Sequence, residues 1–199
     1  MTTLERRILD LSYKHRLSHI GSCLTSVAII DDIYSRKKPE DRFILSCGHA
    51  GLALYVVLDK YVGCNAEALL ALHGVHPNRD CSGIHCSTGS LGQGICIALG
   101  MALADRSRNV YCLLSDGECA EGSVYEALNA KKRSMIGNLI VEVNANDYSA
   151  YDQCFPPSFI YRSEVKVHDT SKHWFMKQYG QEAHYKILTQ QDYEEAICH

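Results

Sequence analysis

Two short apolar runs, separated by one helix length, constrain the fold of this chain more than any other feature. The runs cover residues 109–114 and 138–143, and each is typical of a buried β-strand. The segment between them, 119–133, is long enough for a single helix. A strand–helix–strand unit crosses over with a right hand, so the two strands are predicted to be parallel with their carboxyl ends at one edge of the sheet.

Polar residues follow both strands at that edge. The tetrapeptide Ser115–Glu118 comes after the first strand and Asn146 after the second. The Asp116 carboxylate and the Asn146 amide oxygen, joined by backbone carbonyls and phosphate oxygens, form a hard-oxygen set that suits Mg2+. Gly117 lets a phosphate approach the backbone, and the amino end of the next helix favours its negative charge. An ordinary Asp-Gly turn and a plain Asn-containing loop are the alternative interpretation.

The remaining segments alternate between helix and strand patterns. A strand is predicted over 42–46 and another over 184–188, while 73–90 is predicted to be a loop and 147–170 irregular. Helices are predicted over 3–16, 24–34, a long apolar stretch ending at Val62, 65–72, 91–104, 172–179 and 192–198. This alternation predicts one domain over 1–199, an α/β three-layer sandwich with a mostly parallel central sheet.

Composition gives no support for nucleic-acid or membrane partners. A net charge of -3 over 199 residues gives no support for nucleic acid or an anionic membrane. No apolar stretch approaches the ~20 residues of a spanning helix, and the first residues lack the apolar core of a secretion signal. We therefore expect a cytoplasmic protein.

Ten cysteines occur without any Cys-x-x-Cys pair. We expect free thiols in a reducing compartment rather than disulfides or a zinc site. Cys96, Cys112 and Cys198 lie in apolar segments, where cysteine is expected to be a small buried hydrophobe.

Polar residues cluster at the predicted strand ends, at 46–49, 115–118 and 144–146. Open parallel sheets bind ligands beyond the carboxyl ends of their strands. The clustering favours a single phosphate and metal site over scattered turns.

Three segments resemble one enzyme family. Residues 42–49, Arg-Phe-Ile-Leu-Ser-Cys-Gly-His, resemble the RFxLSxGH segment of transketolases, and residues 87–94 are similar to their STGSLGQG segment. Asp116-Gly117, Glu121-Gly122 and Asn146 follow the thiamine diphosphate motif in order. Over about residues 5–150 the chain resembles the first, diphosphate-binding domain of a transketolase, and we expect the second, pyrimidine-binding domain to be absent from this sequence.

The resemblance implies thiamine diphosphate and Mg2+ as cofactors. Asp116, Asn146 and the backbone carbonyl of Tyr148 would hold Mg2+. His49 and the Gly117 amide would contact the diphosphate. Glu118 also belongs to the cofactor-binding set that the resemblance implies.

The same resemblance assigns residues to the pyrimidine and the sugar. The backbone of Gly89 and Leu91 would face the aminopyrimidine, and Glu121 would join an acidic network near the cofactor. His19 and His76 would face the ketose or its intermediate. The catalytic group expected from the family is His19, His49, His76 and Glu121.

The end of the chain departs from the family. The family domain continues through another strand and a loop with a further histidine, whereas this chain ends at His199, so we expect a C-terminally shortened domain. No motif includes the other histidines, which are expected to be structural or exposed: His85, His168, His173, His184 and His199.

The resemblance implies a split, transketolase-like transferase. This chain would move a two-carbon ketol unit from a ketose to an aldose only with a separate pyrimidine-domain chain, in an α2β2 heterotetramer. A thiamine-dependent 2-oxo acid synthase or decarboxylase subunit is one alternative, which the His49 and Ser-Leu-Gly-Gln-Gly segments disfavour. A non-catalytic relative that kept the fold is the other.

Overall fold

The computed structural model of the chain describes residues 1–80, 83–161 and 163–199. The elements, in chain order, are α1 (Thr3–His15), α2 (Ile20–Arg36), β1 (Arg42–Leu45), α3 (Gly51–Val62), α4 (Ala66–His73), α5 (Gln93–Ala104), β2 (Val110–Ser115), α6 (Gly122–Arg133), β3 (Leu139–Ala145), α7 (Ser158–Tyr161), β4 (Val165–Asp169), α8 (Trp174–Tyr179) and α9 (Gln190–Ala196). Short 3-10 turns cover Gly48–Ala50, Gly117–Ala120 and Gly180–His184.

The four strands of the described residues form one sheet in the order β1-β2-β3-β4, and every neighbouring pair is parallel. In the register, Cys112 of β2 lies opposite Ile44 of β1 and Val141 of β3. The strand–helix–strand prediction is confirmed, and β1, β2 and β3 end at the same edge.

Helices cover both faces of this sheet. Phe43, Leu45 and Leu113 point into a core shared with α1, α2, α3 and α8. The alternate positions Ile44 and Cys112 point into a second core shared with α5 and α6. Because the central strands are buried on both sides, their sequences are apolar runs rather than alternating patterns. The α/β three-layer sandwich is confirmed.

The C-terminal part of the fold differs from the prediction in two places. The predicted strand 184–188 is wrong, because the amides of Tyr185 and Lys186 donate to the Glu182 carbonyl in local turns. The predicted irregular segment 147–170 contains α7 and β4. In β4, Val165 and Val167 pack towards the α5–α6 core and alternate with polar residues, a period-two signal that the sequence did carry.

The cysteine prediction holds in part. The nine described cysteines are free thiols, and Cys112 is fully buried in β2. Cys96 and Cys198 are exposed, because they lie on the outward faces of their segments rather than in the core. None of the described helices is both long and apolar enough to cross a membrane.

Candidate active site

A cavity of about 430 Å³ opens at the carboxyl edge of the sheet. Its volume lies in the range of sites for small molecules and cofactors. Most residues predicted for the site contribute to its wall, namely His19, His49, His76, Gly89, Leu91, Gly117, Glu121, Asn146 and Tyr148. The structure therefore brings segments from the first half and the middle of the chain to one pocket, with Asp116 and Glu118 behind the wall.

Asp116 is held by backbone amides directly after β2. The Gly117 amide donates to its Oδ1 at 2.9 Å and the Asp147 amide to its Oδ2 at 2.7 Å. Burial raises the pKa of the Asp116 carboxyl to about 7, although these backbone hydrogen bonds oppose the shift. Each carboxylate oxygen keeps a lone pair, so the group can still accept a cation.

Asn146 is oriented from both ends of its amide. Its Oδ1 accepts from the Tyr148 amide at 3.1 Å, and its Nδ2 donates to Thr25 Oγ1 at 3.4 Å. Thr25 Oγ1 also accepts from Asn144 Nδ2 at 2.9 Å. These contacts direct the amide nitrogen towards α2 and the oxygen towards the loop that follows β3.

Glu118 is fully buried beneath the pocket. Its Oε1 accepts from Ser46 Oγ at 2.6 Å and from the Gly92 amide at 2.7 Å. Burial raises the pKa of the Glu118 carboxyl to about 7, against the effect of these hydrogen bonds. The side chain does not line the cavity, so direct contact with a cofactor, which the resemblance implied, has no geometric support.

Three imidazoles form one side of the pocket. The rings of His19 and His49 are 5.4 Å apart, and the ring of His184 is 4.5 Å from that of His19 and 5.4 Å from that of His49. The His19 amide donates to the His184 carbonyl at 2.9 Å, which ties the start of α2 to the segment after α8. His19 has a left-handed φ of 59°, and its buried Nδ1 has no hydrogen-bond partner.

These imidazoles are neutral at physiological pH. Burial lowers the pKa of His49 to about 3 and that of His19 to about 4, and the neighbouring histidines add to both shifts. Burial also lowers the pKa of His184. A neutral imidazole offers one donor and one acceptor, so this wall suits hydroxyl and carbonyl oxygens.

Replacing His49 with asparagine is expected to flatten the pH dependence of stability. Below pH 6.5 the unfolded chain binds a proton at this residue that the folded chain does not, because the folded pKa is about 3. The stability linked to His49 is therefore full above pH 6.5 and falls with decreasing pH, by up to ~1.4 kcal/mol per pH unit. Urea unfolding of wild type and His49→Asn at several pH values measures the difference. Parallel curves between pH 6.5 and about 5 would contradict the neutral, buried imidazole.

His76 lies on the exposed rim of the pocket and packs against Gly89. A Cβ built on Gly89 would lie 3.1 Å from His76 Cδ2. The Thr88 amide donates to the Pro77 carbonyl at 3.1 Å, and Thr88 Oγ1 donates to the Leu45 carbonyl at 2.7 Å. These contacts fix the loop 83–90 to the end of β1.

The opposite rim is a loop after β3. Gln181 Nε2 donates to the Ser149 carbonyl at 2.7 Å, and the Tyr185 hydroxyl donates to the Ala150 carbonyl at 2.8 Å. Glu121 and Cys154 also line the cavity. The segment around Gly180–His184 thus positions one wall of the pocket.

His184 is the main residue that sequence reasoning missed. It was expected to be structural or exposed, yet it packs against His19 and His49. Nothing in its local sequence marks it. The indirect signal was that the resembling family carries a further histidine late in the domain, and His184 brings a late histidine to this pocket.

The donor set at the strand ends fits Mg2+ with a diphosphate. Across 1–80, 83–161 and 163–199, no group of three or more His, Cys, Asp or Glu side chains is arranged to hold a metal ion. A hard-cation site built from one carboxylate, one amide oxygen, a backbone carbonyl and phosphate oxygens needs no such group. Asp116 Oδ2 and Asn146 Oδ1 both lie at the loop after β3, where they accept from the amides of Asp147 and Tyr148, so these two oxygens and a carbonyl of that loop fit such a site.

Comparison with known proteins agrees with this geometry. Residues 33–154 match the family model described as "Transketolase, thiamine diphosphate binding domain". One subunit of the apulose-4-phosphate transketolase of Phocaeicola vulgatus is 30% identical over 161 residues, which cover 71% of this chain and 57% of that protein. Human transketolase is 41% identical over 123 residues, 56% of this chain and 20% of the relative.

Solved transketolase structures are also similar to this chain. A Pichia stipitis transketolase in complex with xylulose-5-phosphate superposes with a TM-score of 0.62 at 26% identity, over 81% of this chain and 30% of that chain. A second structure, of a transketolase mutant from the same organism, gives a TM-score of 0.58 at 28% identity, over 75% of this chain and 28% of that chain. The chain thus spans 57% of the Phocaeicola relative and less than a third of the human and Pichia transketolases. The chain belongs to the transketolase family, in its thiamine diphosphate binding domain.

Proposed function

We propose that this chain is the diphosphate-binding subunit of a split transketolase that transfers a two-carbon ketol unit from a ketose to an aldose acceptor. A separate pyrimidine-domain chain completes the active site, in an α2β2 heterotetramer located in the cytoplasm. The free thiols of the described cysteines favour that reducing location.

One observation carries the proposal. Asn146 and the histidines His19, His49 and His184 line one cavity at the carboxyl edge of the sheet, and the Asp116 carboxylate lies directly behind its wall, bonded to the Asp147 amide. The family match covers the strand ends that carry Asp116, Asn146 and His49. The Phocaeicola relative, of which this chain covers more than half, is itself named as one subunit of its enzyme, which supports a partner chain here.

The side of the pocket next to Asp116 would bind the diphosphate of the cofactor through Mg2+. Asp116, Asn146 and the Tyr148 carbonyl would hold Mg2+, while His49 and the Gly117 amide would contact the diphosphate. A Cβ on Gly117 would lie 3.1 Å from the Ser149 Cβ, so only glycine leaves this backbone open to a phosphate without displacing the loop.

The opposite side would bind the organic part of the cofactor and the sugar. Gly89 and Leu91 would present backbone to the aminopyrimidine, and Glu121 would join an acidic network beside it. Thiamine diphosphate, when bound, supplies the nucleophilic carbon and the electron sink for cleaving a bond next to a ketose carbonyl.

The histidines would hold the reacting oxygens and exchange protons with them. His19 and His76 would face the sugar, and His184 stands beside His19. Because His19 and His49 are neutral, they donate to carbonyl oxygens and accept from hydroxyls without adding charge to the pocket. A proton taken up by His19 at neutral pH is held weakly, which favours its return to a developing alkoxide.

Reconstitution tests the proposal. The isolated chain is expected to show no ketol transfer from xylulose-5-phosphate or apulose-4-phosphate. Adding a pyrimidine-domain transketolase chain from the same organism, with Mg2+ and thiamine diphosphate, is expected to restore it, because the cofactor's pyrimidine then has a binding domain. Transfer is measured by coupled detection of the aldehyde product released from the donor.

Three other outcomes would reject the proposal. Robust turnover by the chain alone would contradict a split enzyme. Turnover of pyruvate in place of ketose phosphates would indicate a 2-oxo acid enzyme. No cofactor binding with or without the partner would indicate a non-catalytic relative.

A further inference from the structure

Glu118 joins the end of β1 and the start of α5 to its own turn after β2 through one buried side chain. Its Oε1 accepts from Ser46 Oγ, directly after β1, and from the Gly92 amide, at the start of α5. Its own amide donates to Ser115 Oγ, at the end of β2, at 3.2 Å. These contacts link the strand ends to the helix that follows the loop 83–90.

Each joined segment leads directly to a residue of the proposed cofactor site. His49 lies three residues beyond Ser46, Gly89 and Leu91 precede Gly92, and Asp116 follows Ser115. The segments also pack closely, since a Cβ on Gly94 would lie 2.7 Å from the Ser46 Cα. A shift of the Glu118 side chain would therefore be transmitted to the diphosphate, pyrimidine and metal contacts together.

We propose that Glu118 is a positioning residue, which fixes the β1 end and the α5 start relative to the metal-binding turn and so forms the pocket before any ligand binds. The part of this inference that concerns cofactor binding rests on the proposed function. In this role Glu118 acts through Ser46 and Gly92 rather than by direct contact with cofactor or sugar.

The contact pattern supports positioning rather than ligand binding. The Glu118 side chain has no exposed surface and is absent from the cavity wall. Its carboxylate lies at the amino end of the twelve-residue helix α5, where a negative charge is favoured. Its Oε2 has no hydrogen-bond partner, so the contacts of Oε1 alone carry the connection between the segments.

Amide exchange of the ligand-free chain tests the inference without cofactor. In Glu118→Ala, the exchange rate of the Gly92 amide is expected to rise at least about tenfold, since that buried amide loses its acceptor. The amides of Gly48 and Ala50 are expected to exchange faster as well, because Ser46 loses its partner. Glu118→Gln keeps the Oε1 acceptor, so it is expected to restore most of the protection. The rates are read by NMR on the labelled chain.

Asn138→Ala is the matched control. Asn138 Nδ2 donates to the carbonyls of Ala102, Asp105 and Arg108 at 2.9–3.0 Å, away from the pocket. Its loss is expected to lower the melting temperature without changing the exchange of Gly92. Unchanged Gly92 exchange in Glu118→Ala, or equal changes in Asn138→Ala, would overturn the inference.

Calorimetry with thiamine diphosphate and Mg2+, in the presence of the partner, provides the second readout. Glu118→Ala is expected to weaken binding at least about tenfold relative to Asn138→Ala. If Glu118→Ala and Asn138→Ala bind the cofactor equally well although the Gly92 amide exchanges faster in Glu118→Ala, Glu118 does not position the cofactor site. If the wild-type chain binds no cofactor, the proposed function fails, while the exchange data still decide whether Glu118 holds the three segments together.

Discussion

Asp116→Asn is expected to abolish Mg2+-dependent binding of thiamine diphosphate, with a loss of more than about 100-fold in affinity, above the range seen when only an outer partner of a metal ligand is removed. Asparagine keeps the shape but removes the negative charge. Its Nδ2 would also face one of the two amides, of Gly117 and Asp147, that now donate to the carboxylate. Titration calorimetry with and without Mg2+ measures the loss.

Asp152→Asn provides a charge-matched control in the same region. Asp152 is exposed in the loop after β3, and its Oδ1 accepts from the amide of the next residue. Its replacement is expected to leave the affinity within about threefold of wild type, because exposed charges are screened by solvent. Equal losses in both variants would show that Asp116 acts through general charge rather than as a ligand.

Gly48→Ala is expected to damage both the fold and the pocket. A Cβ on Gly48 would lie 2.6–2.7 Å from backbone atoms of Thr88 and Gly89, which cannot move aside as a flexible side chain can. Overpacking of this kind costs about 2–3 kcal/mol, which lowers the melting temperature by roughly 5–10 °C in a chain of this size. Because Gly89 is displaced, cofactor binding is expected to be lost as well. Thermal unfolding followed by circular dichroism measures the first effect and calorimetry the second.

Gly100→Ala is the control for adding a methyl group to a glycine. Gly100 lies on the exposed face of α5, and a Cβ there meets nothing within 4 Å. Alanine is the better helix former by about 1 kcal/mol, so this variant is expected to be as stable as wild type or more stable. A similar loss of stability in both variants would contradict the steric argument at Gly48.

The side chains around the buried Glu142 show why local sequence patterns explain only part of this fold. Glu142 of β3 is nearly fully buried and contacts Arg36 of α2, His168 of β4 at 2.5 Å and Lys166 of β4 at 3.8 Å. Burial opposes ionisation, but the His168 and Arg36 contacts hold the pKa of Glu142 below its usual range. The run Val-Lys-Val-His gives β4 a strand pattern, but only the assembled sheet places Lys166 and His168 against the buried Glu142 carboxylate.

The amino-acid sequence by itself determined the first three strands of the central sheet and the position of Asp116 and Asn146 at their ends. Both conclusions rest on local information, namely the apolar runs, the helix-length spacing and the polar residues after each strand. Because strand–helix–strand connections between parallel strands are right-handed, the strand ends are predicted to meet at one edge without any information about packing.

The tertiary structure alone decided the histidine wall and the Glu118 connection. His184 reaches His19 and His49 because local turns after α8, rather than the predicted strand, direct its ring into the pocket. Glu118 meets Ser46 and Gly92 only once β1, β2 and α5 have packed. Such contacts join residues that are distant in sequence. They form because they pack well and satisfy hydrogen bonds in the complete fold, and no local sequence pattern carries that information.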